Sequence, residues 1–272
     1  MKMVFTHPAV LAALGAAALF GASTPLAKQL VGDLPAFLLA GLLYLGSGIG
    51  LTLMRLVRDR GWKLPQFPRT EWLWFGGAIF FGGVAGPVLL MLGLTHTTAA
   101  TASLLLNLEA VLTAVLAWIA FRENADRRIV MGMLMIVAGG VTLSWSANTT
   151  TEESWLGPLA IAGACLCWAI DNNLTRKVSA SDALFIASVK GLSAGTFNTI
   201  LAVLLYSSFP AAHTIAPAML IGFFGYGLSL VLFVLALRGL GAARTGAYFS
   251  TAPFIGAAIA IFLQSLVVLC GT

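Results

Sequence analysis

Three ionisable side chains lie inside stretches that are otherwise apolar: Glu109, Asp171 and Lys190. Glu109 sits near the middle of Thr98–Phe121, TAATASLLLNLEAVLTAVLAWIAF. Such a run has the length of a bilayer-spanning helix. A carboxyl there costs about 2.5–3.5 kcal/mol to insert, so it calls for a partner or a task. Two kinds of chemistry suit it. It can exchange a proton or hold an amine, or it can be a structural carboxyl satisfied by a neighbouring helix. Asp171 opens an Asp-Asn-Asn run inside a second apolar stretch. Three consecutive polar residues cannot share one helix face. Either that span is unwound locally, as transporter helices are near substrate, or the run lies at the headgroup level. Lys190 stands eight residues into a third stretch. It is expected to face inward and pair with Asp171 or Glu109.

These groups can bind and move protons, but they do not make an enzyme. An intramembrane catalyst needs a nucleophile with its base, or a metal cluster. Two acids and a lysine without a buried histidine supply neither. The three cysteines show no metal-ligand or disulfide spacing, and no phosphate-binding glycine loop is present. No catalytic residue, metal or cofactor is therefore expected.

The polar residues need a scaffold, and the composition defines it. Of 272 residues, 59% are hydrophobic and 9% charged, and the mean hydropathy is +0.95. A soluble domain carries about a quarter charged residues. Apolar runs near 9–31, 35–57, 72–94, 98–121, 129–147, 155–175, 183–206, 215–237 and 245–270 read as spanning helices. The expected fold is an all-α integral membrane bundle of about nine helices. The first run is too long for a signal peptide, so it is read as an uncleaved span.

The net charge of +5 does not point to nucleic acid. Thirteen of the 15 basic residues fall in alternate segments: Lys2; Arg55, Arg58, Arg60, Lys63 and Arg69; Arg122, Arg127 and Arg128; Arg176 and Lys177; Arg238 and Arg244. The other two, Lys28 and Lys190, are within spans. The intervening loops carry no Lys or Arg and hold Asp33, Glu152 and Glu153. This bias places the N-terminus of a multi-pass membrane protein in the cytoplasm.

The chain also repeats. Phe20–Lys28 aligns with Trp168–Arg176 at an offset of 148, and Ala99–Ser103 with Ala242–Gly246 at an offset of 143. Five spans per copy is odd, so the second copy enters from the opposite side. The reading is an inverted five-helix repeat, residues 1–150 and 151–272, with the last helix missing after Ile261. A binding site midway between the halves follows. Ser23, Trp168, Tyr226 and Tyr248 are expected to shape it around Glu109, Asp171 and Lys190. For each aromatic, packing or lipid contact is the competing role. Ser23-Thr24-Pro25 is expected to interrupt the first span as a hinge. Glycines four apart in spans 2, 3 and 7 are expected to allow close helix contact.

The residues Leu19–Pro25, Ala99–Val111, the turn Phe121-Arg122-Glu123 and Ala236–Arg244 leading into Ala252-Pro253 resemble those of the EamA-like branch of the drug/metabolite transporter superfamily. That resemblance implies an inner-membrane secondary carrier, an exporter of amino acids or other small metabolites driven by a gradient. Its implied partners are a small-molecule substrate, a proton as coupling ion, the lipid bilayer and a second copy in a homodimer. Two departures bear on it. Ala252 stands where a second Glu109 would be, and the second Gly-Glu turn is absent. A truncated, non-transporting membrane protein, or a subunit completed by a partner, is the alternative reading.

Overall fold

In a computed structural model the described residues are 7–30, 34–61, 63, 68–96, 105–123, 127, 129–135, 138, 155–206, 212–252, 254–256, 258–259 and 262. Several expectations fall elsewhere. The opening of the fourth span at 97–104, most of the fifth span, Asp33, Glu152, Glu153 and the chain beyond 262 lie outside the described residues.

Among the described residues the protein is all-helical. The helices are α1 (Pro8–Lys28), α2 (Ala36–Asp59), α3 (Arg69–Leu94), α4 (Leu108–Ile119), α5 (Leu156–Val178), α6 (Ala183–Leu205), α7 (Ala212–Leu240) and α8 (Ala242–Phe249). Five helices are long and apolar enough to cross a membrane: Pro8–Ala27, Ala36–Asp59, Arg69–Leu94, Ala183–Leu205 and His213–Leu240. Many apolar side chains point outward, among them Val57, Leu73, Ile119 and Leu204. In lipid such a surface carries no penalty, and each helix satisfies its own backbone.

Two compact units form. The first comprises Met1–Gln66, Ser179–Gly239 and Tyr248–Thr272, and the second Phe67–Val178 with Leu240–Ala247. Each unit takes helices from both halves of the sequence.

In the first unit, α1 starts at Pro8, where the ring sets φ and no N–H is lost. His7 caps it by accepting from the Ala9 N–H at 3.3 Å. The Ser-Thr-Pro segment does not interrupt this helix, which runs on to Lys28. Both hydroxyls turn back to the Phe20 carbonyl, at 2.7 Å from Ser23 and 3.3 Å from Thr24. Both bonds fall on the Phe20 carbonyl, whereas the carbonyl that Pro25 leaves without an α-helical donor is that of Gly21.

Helices α2 and α6 cross closely. A Cβ on Gly48 would stand 2.4 Å from the Leu192 nitrogen, and one on Gly191 2.7 Å from the Gly48 nitrogen. Gly48 is not among the glycines spaced four apart, but Gly191 is, and so are Gly195, whose Cβ would stand 2.6 Å from the Leu45 nitrogen, and Gly46, whose Cβ would stand 2.1 Å from the Met219 carbonyl oxygen.

At one end of this crossing an ionic cluster pins the two helices. Asp182 caps α6 by accepting from the Leu184 N–H at 3.0 Å. Its carboxylate also accepts from the Arg55 Nε at 3.1 Å and the Arg58 Nη1 at 3.2 Å. Arg55 is buried, 3% exposed, and its guanidinium stacks 4.9 Å from the Phe185 ring centre. Arg238 closes the same turn by donating to the carbonyls of Ser179 at 2.6 Å and Ser181 at 2.5 Å.

Partial burial pushes the Asp182 carboxyl up, but the hydrogen bonds from Arg58 and Arg55 outweigh it. Asp182 therefore titrates below its ordinary value. A carboxyl whose folded pKa is depressed stabilises the fold above the unfolded value, near pH 3.9, and loses that contribution as pH falls through the folded one. Thermal unfolding in detergent between pH 6 and pH 3 should therefore show a steeper loss for the native chain than for Asp182→Asn. Parallel curves would contradict this role.

Candidate functional site

The polar residues of the second unit converge on α4 and α5. Glu109 stands in the first turn of α4. Asn172 of α5 donates from Nδ2 to Glu109 Oε1 at 3.0 Å and to Thr113 Oγ1 at 3.2 Å. Asn173, fully buried, donates to the Thr113 carbonyl at 3.0 Å and the Ala169 carbonyl at 2.9 Å. Asp171 turns to another face of α5, accepting from Thr175 Oγ1 at 2.8 Å and pressing against Gly82 of α3. Successive residues on a helix point about 100° apart, so one Asp-Asn-Asn run serves two neighbours.

Helix α5 stays α-helical throughout residues 171–173. The local unwinding expected as one possibility does not occur. The side chains find acceptors across the helix contacts without a break in the backbone, and that removes the reason to unwind.

Helix α3 does depart from α geometry. Phe81–Ala85 form a π segment, with the Gly86 N–H on the Phe81 carbonyl. In that register the Gly82 carbonyl would look to residue 87, a proline without an N–H. Trp168 Nε1 donates to it instead, at 3.2 Å. The Trp168 indole therefore has a defined polar task. Cys165 closes the far side of this region, packed with Ile161 against Leu90, Leu105 and Leu112.

Glu109 is only partly exposed, and among the described residues it pairs with no cation. Asn172 already supplies an amide donor, which satisfies one oxygen without transferring a charge. Lys190 is buried in α6 of the first unit, 8% exposed. The first unit also holds Ser23, Tyr226 and Tyr248. Tyr226 packs edge-on to Tyr44 at 5.2 Å and beside Phe20 at 5.4 Å. Tyr248 gives its carbonyl to the Thr251 hydroxyl at 2.8 Å.

Thr113 and Glu123 gain roles that sequence reasoning did not assign, and Gly82, one of the glycines expected to allow close helix contact, meets a side chain. Thr113 shares Glu109's helix face, and the spacing of four between them was the available signal. Gly82 receives Asp171 because it has no side chain. Glu123 accepts from the Ala242 N–H at 3.1 Å and the Ala243 N–H at 3.4 Å, and pairs with Arg176 at 2.5 Å. It thus caps α8, with Gly241 at φ +83° giving the carboxylate room. Among the described residues no group of three or more His, Cys, Asp or Glu side chains is placed to hold a metal ion.

The relatives of this chain define its class. An uncharacterized transporter of Methanothermobacter thermautotrophicus is 26% identical over 259 residues, covering 90% of this chain and 76% of its own. The uncharacterized transporter YyaM of Bacillus subtilis is 24% identical over 259 residues, covering 89% and 81%. A crystal structure described only as that of a protein has the same fold, with a TM-score of 0.79 at 21% identity over 97% of this chain and 87% of the other. The molecule is thus a membrane transporter and not an enzyme. Residues 7–145 match the EamA-like transporter family, and the chain belongs to that family, within the drug/metabolite transporter superfamily.

The geometry of Asn173 gives a direct test of the packing. Asn173→Asp would replace a buried donor by an acceptor facing two carbonyls, at a cost of about 3 kcal/mol. Thermal unfolding in detergent should show that loss, with Asn173→Leu milder. An unchanged midpoint for Asn173→Asp would contradict the assigned hydrogen bonds.

Proposed function

We propose that the protein is a secondary transporter that exports small metabolites such as amino acids across the inner membrane by alternating access. The proposal includes about nine spans in two inverted repeats, residues 1–150 and 151–272, with the N-terminus in the cytoplasm. A proton is the coupling ion.

One observation carries the reading. Glu109 is a carboxyl in an apolar helix, held by the Asn172 amide and left without a cationic partner among the described residues. A structural carboxyl at that depth is normally neutralised by a fixed basic group. An oxygen oriented by an amide, with Thr113 beside it, is instead set to receive a proton or an ammonium group that arrives and leaves. Asp171, Trp168 and Lys190 act with it. Trp168 fixes the α3 backbone beside Asp171, and Lys190 supplies a buried positive charge for a substrate carboxylate. Ser23, Tyr226 and Tyr248 provide the uncharged surface.

Glu109→Gln keeps the shape and the hydrogen bond from Asn172 while removing the charge. In proteoliposomes loaded with amino acids, that variant should lose pH-driven counterflow by about tenfold or more, equivalent to ~1.4 kcal/mol of interaction. It should still fold with the native thermal midpoint. Undiminished pH-dependent flux would remove Glu109 from the mechanism.

A further inference from the structure

The second π segment lies in α7, at Phe223–Leu228, where the Ser229 N–H reaches the Phe224 carbonyl. It resembles the first in composition and in seating. In the second unit, a Cβ on Gly82 would come within 2.0 Å of Asp171 Oδ2. In the first unit, a Cβ on Gly225 would come within 2.2 Å of the Ser23 Cβ. The glycines stand 143 residues apart and their polar partners 148 apart, the same offsets that align the two halves of the sequence. Each π segment is thus a notch opened by glycine and filled by one polar side chain of another helix.

The notch of α7 has a second occupant. Ser47 of α2 is fully buried beside it, with its Oγ 3.2 Å from where a Gly227 Cβ would stand. Among the described residues that hydroxyl has no hydrogen-bond partner. A helical serine ordinarily falls back on a carbonyl of its own preceding turn, as Ser23 and Ser188 do. Ser47 does not, although a buried, unpaired hydroxyl is costly.

A π segment holds one residue more per turn than the α-helix around it. If that extra residue passes along the helix, the carbonyls lacking an α-type partner change. In a membrane interior a freed carbonyl needs a donor from elsewhere in the protein. Ser47 is a donor already in place at the notch.

We propose that the π segments of α3 and α7 are where these spanning helices change register during transport, and that Ser47 is a positioning residue that binds an α7 carbonyl in the register not seen here. This goes beyond the Glu109 site and rests only on the protein being a transporter.

Spin labels at His213→Cys and Leu235→Cys, in a background with the native cysteines replaced by alanine, span the α7 segment over about 33 Å. In lipid nanodiscs of the full chain, their distance distribution should contain two components separated by about 1.5 Å, the rise of one residue, according to whether the extra residue lies between the labels or beyond them. Labels at Ala36→Cys and Val57→Cys on α2, a helix without a π segment, should give one. Ser47→Ala should collapse the first pair to a single component and raise the thermal midpoint, since it removes an unpaired hydroxyl. Ser47→Thr should keep both components, and so should Glu109→Gln, which separates this outcome from failure of the Glu109 reading. A single α7 distance in the native chain overturns the proposal. So does a Ser47→Ala variant that keeps both components or is less stable.

Discussion

A polar atom inside a membrane helix cannot turn to water, so leaving it unmet by another atom of the protein is costly. That constraint organises both units. It directs Asn173 to the carbonyls of Thr113 and Ala169, and Trp168 to the Gly82 carbonyl. It also ties Ser229 of α7 to the Ala16 carbonyl of α1, at 2.8 Å. Where the constraint is met from within, the contact is structural. Glu109 differs because the bond it receives leaves its charge uncompensated among the described residues.

The same constraint explains the ends of the helices. Asp182 and Glu123 do similar work in separate units. Each carboxylate caps a helix start and binds arginine from an adjoining segment. Dipole, hydrogen bond and ion pair then act at one point, which exceeds what an exposed ion pair achieves alone. Apolar helix sides, by contrast, gain little specificity from packing in lipid. Close approach at Gly48 and Gly191 supplies it for α2 and α6.

Much of this was legible in the sequence. Continuous apolar runs anticipated the five helices that are long and apolar enough to cross a membrane, because length and hydropathy are set locally. Glu109 stood out because nothing near it in sequence offset its cost. What escaped were relations between distant residues. Arg55 read as one more basic residue at a span end, yet it is buried against an aspartate 127 positions away. The π segments were invisible because glycine-rich apolar helices read alike in either register. The Ser-Thr-Pro motif suggested an interruption, yet the helix runs through it to Lys28.

The central claim is that the Glu109 carboxyl is open to exchange and is not locked into the fold. Carbodiimide labelling of native membranes, read by peptide mass spectrometry, tests it most directly. The account predicts modification at Glu109 that slows when a transported amino acid is present. A Glu109 that stays unlabelled in folded protein and reacts only after denaturation would contradict it.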